Sequence, residues 1–261
     1  MAYIEKVVTA TARQWFDGVA DAPLDDQVEV IRNDIAVSTN TSEMVLRGTG
    51  LNITNLQGKK VLDLASGLST FVVEANQHGI ETIGVDTAYV SLAELEARGI
   101  EYDARGYYKF MGDTSRFTPS NLDQLNRMLD YLNSGGPRND CLQDMAENPS
   151  RYVAGSVLDL PFADKSFDLV VSNSLLTSEP GLSEGFTEAT VLEALRVLRR
   201  QGELRIGPID LDTSPDEGRA KEANIKAAFE KAKQEKLAEK FSKISIGKNE
   251  WAYGITRSRK R

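Results

Sequence analysis

Apolar positions between Val61 and Asp86 fall into two short dense runs separated by one amphipathic stretch. Val61, Leu62 and Leu64 make the first run, with the density of a parallel strand covered on both faces. Ala65, Ser66, Gly67 and Ser69 follow, small residues that let the backbone turn sharply and approach a ligand closely. Phe71, Val72 and Ala75 recur at helical spacing, and Gly79 stands where a helix stop is favoured. Ile83, Gly84 and Val85 predict a second buried strand, with Asp86 at its carboxyl end. The order strand, tight turn, helix, strand and acid predicts half of a nucleotide-binding crevice, because such an acid accepts both hydroxyls of a ribose.

The same reading extends along the chain. Leu160, Pro161 and Phe162 form a turn, and Phe167 to Val171 supply a β-branched strand. Val191, Ala194, Leu195 and Leu198 mark one face of a helix that Gly202 is expected to end, before a strand through Ile209. Residues 216–240, rich in Ala, Glu and Lys, predict a largely exposed helix. Phe241 to Arg257 read as two strands joined by Gly247, Lys248 and Asn249. Residues 1–57 precede the first strand, with helical pieces around Trp15 and Val28 to Ile31 and a polar patch near Ser38 to Ser42. The span from Asp86 to Arg151 is far longer than a simple connection. After a helix through Ser91 to Ala97, it carries a helical stripe of Leu122, Leu125, Met128, Leu129 and Leu132, ended by Gly135, Gly136 and Pro137. It predicts a helical insertion over about 99–150. Tyr107, Tyr108, Phe110 and Met111 are equally suited to an acceptor pocket and to the insertion's own core.

Three segments resemble the class I S-adenosylmethionine-dependent methyltransferases. In the first, Asp63, Ala65, Gly67 and Ser69 stand where that family writes acid-x-Gly-x-Gly-x-Gly; the acid and central glycine match, and Ala and Ser keep the loop small. In the second, Arg151 to Leu176 resembles the family's strand three, Leu-Pro-Phe turn and strand four. In the third, Ala189 to Ile209 resembles its helix and fifth strand, with Arg200, Gln201 and Gly202 in place of a Pro-Gly-Gly corner. The dinucleotide fingerprint Gly-x-Gly-x-x-Gly fits worse, since Gly67 has no partner glycine at either spacing. The resemblance implies an α/β fold: a Rossmann-like, doubly wound, mostly parallel sheet with a C-terminal antiparallel hairpin. Residues 58–261 form that domain, interrupted by the insertion, and residues 1–57 precede it as a candidate lid. Trp15 and Phe16 are candidates for that lid, although ordinary packing weighs more for them.

The resemblance also implies S-adenosylmethionine as cofactor and assigns residues to it. The methionine end lies at Asp63, Ala65, Ser66 and Gly67. Asp86, followed by Thr87, holds the ribose. Ser156 and the backbone amide of Val157 face the adenine edge, and Asn173 sits near the methionine moiety and the methyl group. The family often has aspartate where Ser156 stands, a replacement that costs roughly 1 kcal/mol of affinity. No residue stands out as a general base.

Composition narrows the acceptor. Apolar residues make up 41% of the chain, and no apolar run approaches the roughly 20 residues of a membrane span. Glu5, Lys6 and Arg13 interrupt the N-terminal apolar positions, so no signal peptide is expected and a cytoplasmic location is the simple reading. The single cysteine, Cys141, excludes an internal disulfide, and the single histidine, His78, excludes a His-rich metal site. Beside Gly79, His78 reads as the end of a helix. The net charge of -8 disfavours nucleic acid as a partner. The basic run Arg257 to Arg261 reads as a solvated tail. Ser172 to Leu175 also lack the Asn/Asp-Pro-Pro-aromatic motif of DNA adenine methyltransferases. The expected function is methyl transfer to a small-molecule acceptor, without metal or membrane. The acceptor atom and oligomeric state stay open. Two alternatives remain: a non-catalytic scaffold, suggested by Ala65, Ser69 and Ser156, and a nicotinamide-dependent oxidoreductase.

Overall fold

The computed structural model describes residues 40–67, 69–86, 89, 100–102, 108–110, 115, 119, 122, 126, 137–177, 183–210 and 215–259. The strands are β1 (Lys60–Leu64), β2 (Glu81–Asp86), β3 (Ile100–Tyr102), β4 (Tyr108–Phe110), β5 (Tyr152–Ala154), β6 (Phe167–Asn173), β7 (Leu198–Asp210), β8 (Ala238–Gly247) and β9 (Glu250–Arg257). The helices are α1 (Ser42–Gly48), α2 (Phe71–Gln77), α3 (Pro137–Glu147), α4 (Glu184–Val197) and α5 (Pro215–Gln234). A seven-stranded sheet runs in the order β5-β2-β1-β6-β7-β9-β8. Neighbours from β5 to β7 are parallel, and β9 is antiparallel to both β7 and β8. The expected doubly wound sheet with its C-terminal hairpin is thus present.

The continuous apolar runs have a direct cause, since helices cover both faces of the sheet. Val61, Leu169 and Val171 pack with Val45, Phe71, Ala75 and Ile80 on the face of α1 and α2. Leu62, Leu64, Val170, Leu204 and Ile206 point the other way, onto Val191, Ala194 and Leu195 of α4 and Ile225, Ala228 and Phe229 of α5. Gly79 ends the turn after α2 at φ 74, as the sequence predicts. The His78 amide donates to Glu74 O, and its Nδ1 lies 2.8 Å from the same carbonyl, so this side chain finishes the helix.

Three sequence readings need correction. α4 ends at Val197, five residues before Gly202, and Leu198 already pairs with Phe167 as the start of β7. Gly202 lies in a bulged corner where a Cβ would meet Arg199 O at 2.9 Å and Asp168 O at 3.0 Å, while Gln201 takes the left-handed φ of 64°. The helix α5 is largely exposed as expected, with Glu222, Ile225, Ala228, Phe229 and Ala232 buried on one face, but it ends at Gln234 rather than reaching residue 240, since β8 begins at Ala238. Nor is the basic terminus simply a tail. Arg257 belongs to β9 and is buried, donating from Nη1 to Arg196 O at 2.6 Å and to Leu198 O.

The span expected as a helical insertion holds an antiparallel ribbon, β3 with β4, which helical periodicity did not announce. It closes with α3, beginning at Pro137. The expected helix at 91–97, most of the Leu122–Leu132 stripe, and Trp15, Phe16, Tyr107 and Met111 lie outside the described residues. Among the described residues no helix is long and apolar enough to cross a membrane.

Candidate functional site

Parallel pairing of β1 with β2, in the register Asp63↔Gly84 and Leu64↔Val85, brings the loop after β1 to the carboxyl end of β2. Ser66 N donates to Val85 O at 3.2 Å. Gly67 N donates to Asp86 Oδ2 at 2.9 Å. The loop and the acid are therefore in direct contact, and Asp86 is only 4% exposed. Ala65 and Gly67 both adopt left-handed conformations, φ 51° and 54°. A Cβ strains that region by roughly 1–2 kcal/mol, which explains the glycine that the resembled motif writes at the place of Ala65. Ser69 N donates to Ser66 O at 3.0 Å, and Ser69 Oγ accepts from Phe71 N at 3.2 Å, closing the turn into α2.

The segment before α1 is fastened to this turn. Thr70 N donates to Asn40 O at 3.1 Å, and Ser42 N donates to Thr70 Oγ1 at 2.9 Å. The other end of α1 meets the next strands. A Cβ on Gly48 would lie 2.6 Å from Asn173 Oδ1 and 3.0 Å from Pro208 Cδ. Asn173 ends β6, is buried, and donates from Nδ2 to Ser174 Oγ at 3.3 Å, leaving Oδ1 without a hydrogen-bond partner.

Asp63 is the most unusual group. It is 2% exposed, its Oδ2 has no partner, and the Ser66 hydroxyl is likewise buried and unpartnered. Burial pushes its carboxyl up to about 7; the nearby Ser66 hydroxyl offsets part of this, and the charge of Asp86 adds to it. Among the described residues Asp63 has no ion pair. A buried acid with a second acid beside it suits a cationic ligand, which would hold both ionised.

Sequence reasoning missed Tyr89. Its phenol is buried and donates to Gly67 O at 2.9 Å. Gly84 makes room for it, because a Cβ there would lie 2.9 Å from both Tyr89 Oη and Ser66 Oγ. The only available signal was an aromatic residue three positions beyond the strand-end acid, which no spacing rule singles out.

The other expected residues distribute as follows. Gly155 N donates to Asp86 O at 3.2 Å, so Ser156 and Val157 follow immediately beside the strand-end acid. Ser156 Oγ accepts from Leu158 N at 3.2 Å within its own turn, and Val157 is buried. Asp63, Ala65, Ser66, Gly67, Asp86, Ser156 and Val157 thus share one end of β1, β2 and β5, with Asn173 at the same end of β6. Thr87 lies outside the described residues. Burial pushes the Cys141 thiol up to about 12, so it is no nucleophile near neutral pH. Among the described residues no cluster of His, Cys, Asp and Glu suits a metal ion.

Comparison with known proteins adds an independent finding. Residues 120–206 match the family model described as a methyltransferase domain. An uncharacterized protein of Methanocaldococcus jannaschii is 27% identical over 187 residues, 69% of this chain and 79% of its own length. A solved S-adenosylmethionine-dependent methyltransferase from Methanosarcina mazei aligns with 13% identity, covering 79% of this chain and 96% of that one at a TM-score of 0.44. A 16S rRNA methyltransferase from T. thermophilus aligns over 46% of this chain and 27% of its own, with 16% identity and a TM-score of 0.32. None of these likenesses bears on the acceptor. The chain is thus similar over residues 120–206 to a methyltransferase domain, and that match falls within a sheet of the order β5-β2-β1-β6-β7-β9-β8.

Proposed function

We propose that this chain is a class I S-adenosylmethionine-dependent methyltransferase acting on a small molecule, and that the crevice residues hold the donor. Asp63, Ala65, Ser66 and Gly67 take its methionine end, Asp86 and Thr87 the ribose, Ser156 and the Val157 amide the adenine edge, and Asn173 lies beside the methyl group. The single observation that carries the assignment is the buried Asp63, with an unpartnered oxygen and a carboxyl lifted to about 7. The donor supplies a methyl group on positively charged sulfur. The α-ammonium at the methionine end, which S-adenosylhomocysteine shares, would give Asp63 the cation it lacks among the described residues and keep it ionised. Asp86 receives ribose hydroxyls while keeping the Gly67 amide, since a carboxylate has acceptor capacity for both. Displacement at the methyl needs the acceptor aligned behind it, so positioning supplies much of the acceleration. The net charge of -8 supports a small acceptor over a polyphosphate backbone.

Calorimetry with S-adenosylmethionine, S-adenosylhomocysteine and NAD tests the donor assignment. The wild type is expected to bind the first two, and Asp86→Ala to lose about 1–3 kcal/mol of that affinity. Equal affinity in both proteins removes the ribose contact. Binding of NAD alone overturns the whole reading.

A further inference from the structure

We infer that the insertion helix α3 controls the shape of the donor loop through a fixed chain of side chains, Asp144 to Tyr152 to Tyr89, that ends on the Gly67 carbonyl. This rests on reading residues 63–67 as the donor loop. Asp144, on α3, is nearly buried and saturated with donors. It accepts from Tyr152 Oη at 2.7 Å, Arg151 Nη1 at 2.6 Å and Asn148 Nδ2 at 2.8 Å. The first of these holds the Tyr152 ring at the start of β5. That ring meets the Tyr89 ring edge-on, with centroids 5.7 Å apart and planes at 82°. Tyr89 then donates to Gly67 O at 2.9 Å.

The end of the chain falls on a peptide that would otherwise turn easily. Gly67 has no side chain to anchor it and sits at φ 54°. Its N–H is tied to Asp86 and its C=O to Tyr89, so both ends of the residue are fixed by groups from outside the loop. Asp86 comes with the sheet itself. Tyr89 is steadied by Tyr152, and Tyr152 by the insertion. A ligand that moves α3 thereby loosens or tightens the loop, which couples events on the insertion to donor affinity. Tyr89, Tyr152 and Asp144 are positioning residues in this scheme.

Hydrogen exchange of the amides of residues 63–70, followed in the full chain without ligand, tests the inference, alongside S-adenosylhomocysteine titration. Tyr89→Phe, which loses a hydrogen bond to a buried carbonyl, is expected to accelerate loop exchange and weaken the ligand by about tenfold, and Tyr152→Phe, which frees its ring from Asp144, to act in the same direction by a smaller factor. The global denaturation midpoint should move far less. The double variant is expected to exchange no faster than Tyr89→Phe alone, because Tyr152 acts through Tyr89. Asp144→Asn is the second route to the same loop, should Tyr152→Phe fail to fold. Unchanged loop exchange in Tyr152→Phe and Asp144→Asn overturns the coupling, and so does a strictly additive double variant. Should the wild type bind no S-adenosylhomocysteine, the donor reading fails, while the exchange pattern still decides whether α3 governs the loop.

Discussion

Asp63 is a carboxyl stripped of water with no partner for one of its oxygens, and its titration has consequences for the whole chain. Its folded value of about 7 lies above the ordinary 3.8, so the native state keeps a proton that the unfolded chain releases between about pH 4 and pH 7. The contribution of Asp63 to the stability of the ligand-free protein should therefore be largest below that window and fall by on the order of 4 kcal/mol as pH rises through it. Asp63→Asn should flatten this dependence and stabilise the ligand-free protein at pH 8, while weakening S-adenosylhomocysteine binding tenfold or more. Denaturation midpoints at pH 5 and pH 8 read the first effect, and calorimetry reads the second. Binding near pH 6.5 should also expel a proton, visible as a heat that changes with the ionisation enthalpy of the buffer. Asp63 was legible as the acid of a motif. Its missing partner was not, because nothing local says which groups will be buried around it.

Elements show a similar division. The strands β1, β2 and β6 and the β8–β9 hairpin were legible because their patterns arise over a few residues, each apolar position facing a covering helix. The end of α4 was not. Gly202 looks like a stop signal, yet the left-handed residue is Gln201, and the corner is shaped by Asp168 O from β6. Arg257 was read as solvated because a terminal basic run is usually so. In the fold its guanidinium satisfies carbonyls at the exit of α4 and the entry of β7. Arg257→Met should remove both charged hydrogen bonds, leaving Arg196 O only the Lys165 amide, and cost about 2–4 kcal/mol, seen as a lower urea midpoint with an unchanged slope. Gly207→Ala probes the other end of β7. Its Cβ would run into the backbone carbonyl of Gly48, so α1 must shift, and a loss of about 1–3 kcal/mol is expected by the same measurement.

At the scale of the molecule, the sheet order places the carboxyl ends of β1, β2, β5 and β6 along one edge, with α1 tied to both Thr70 and the Asn173 region. The acidic balance of the chain bears on what reaches that edge. With methyl-labelled donor, label is expected in the small-molecule fraction of a cell extract and absent from the RNA fraction at about physiological salt, where an acidic surface repels phosphate. Label entering RNA refutes the proposed acceptor class.

Chain order alone settles that a strand, a small-residue turn, a helix and an acid-tipped strand follow one another, since periodicity and turn chemistry act between near neighbours. Folding alone decides that Gly67, 19 residues from Asp86 and 22 from Tyr89, is gripped by both, and that Asp63 meets no cation among the described residues. Partners at such separations depend on strand register and on the way α3 and β5 meet, which are properties of packed surfaces rather than of any local run of residues.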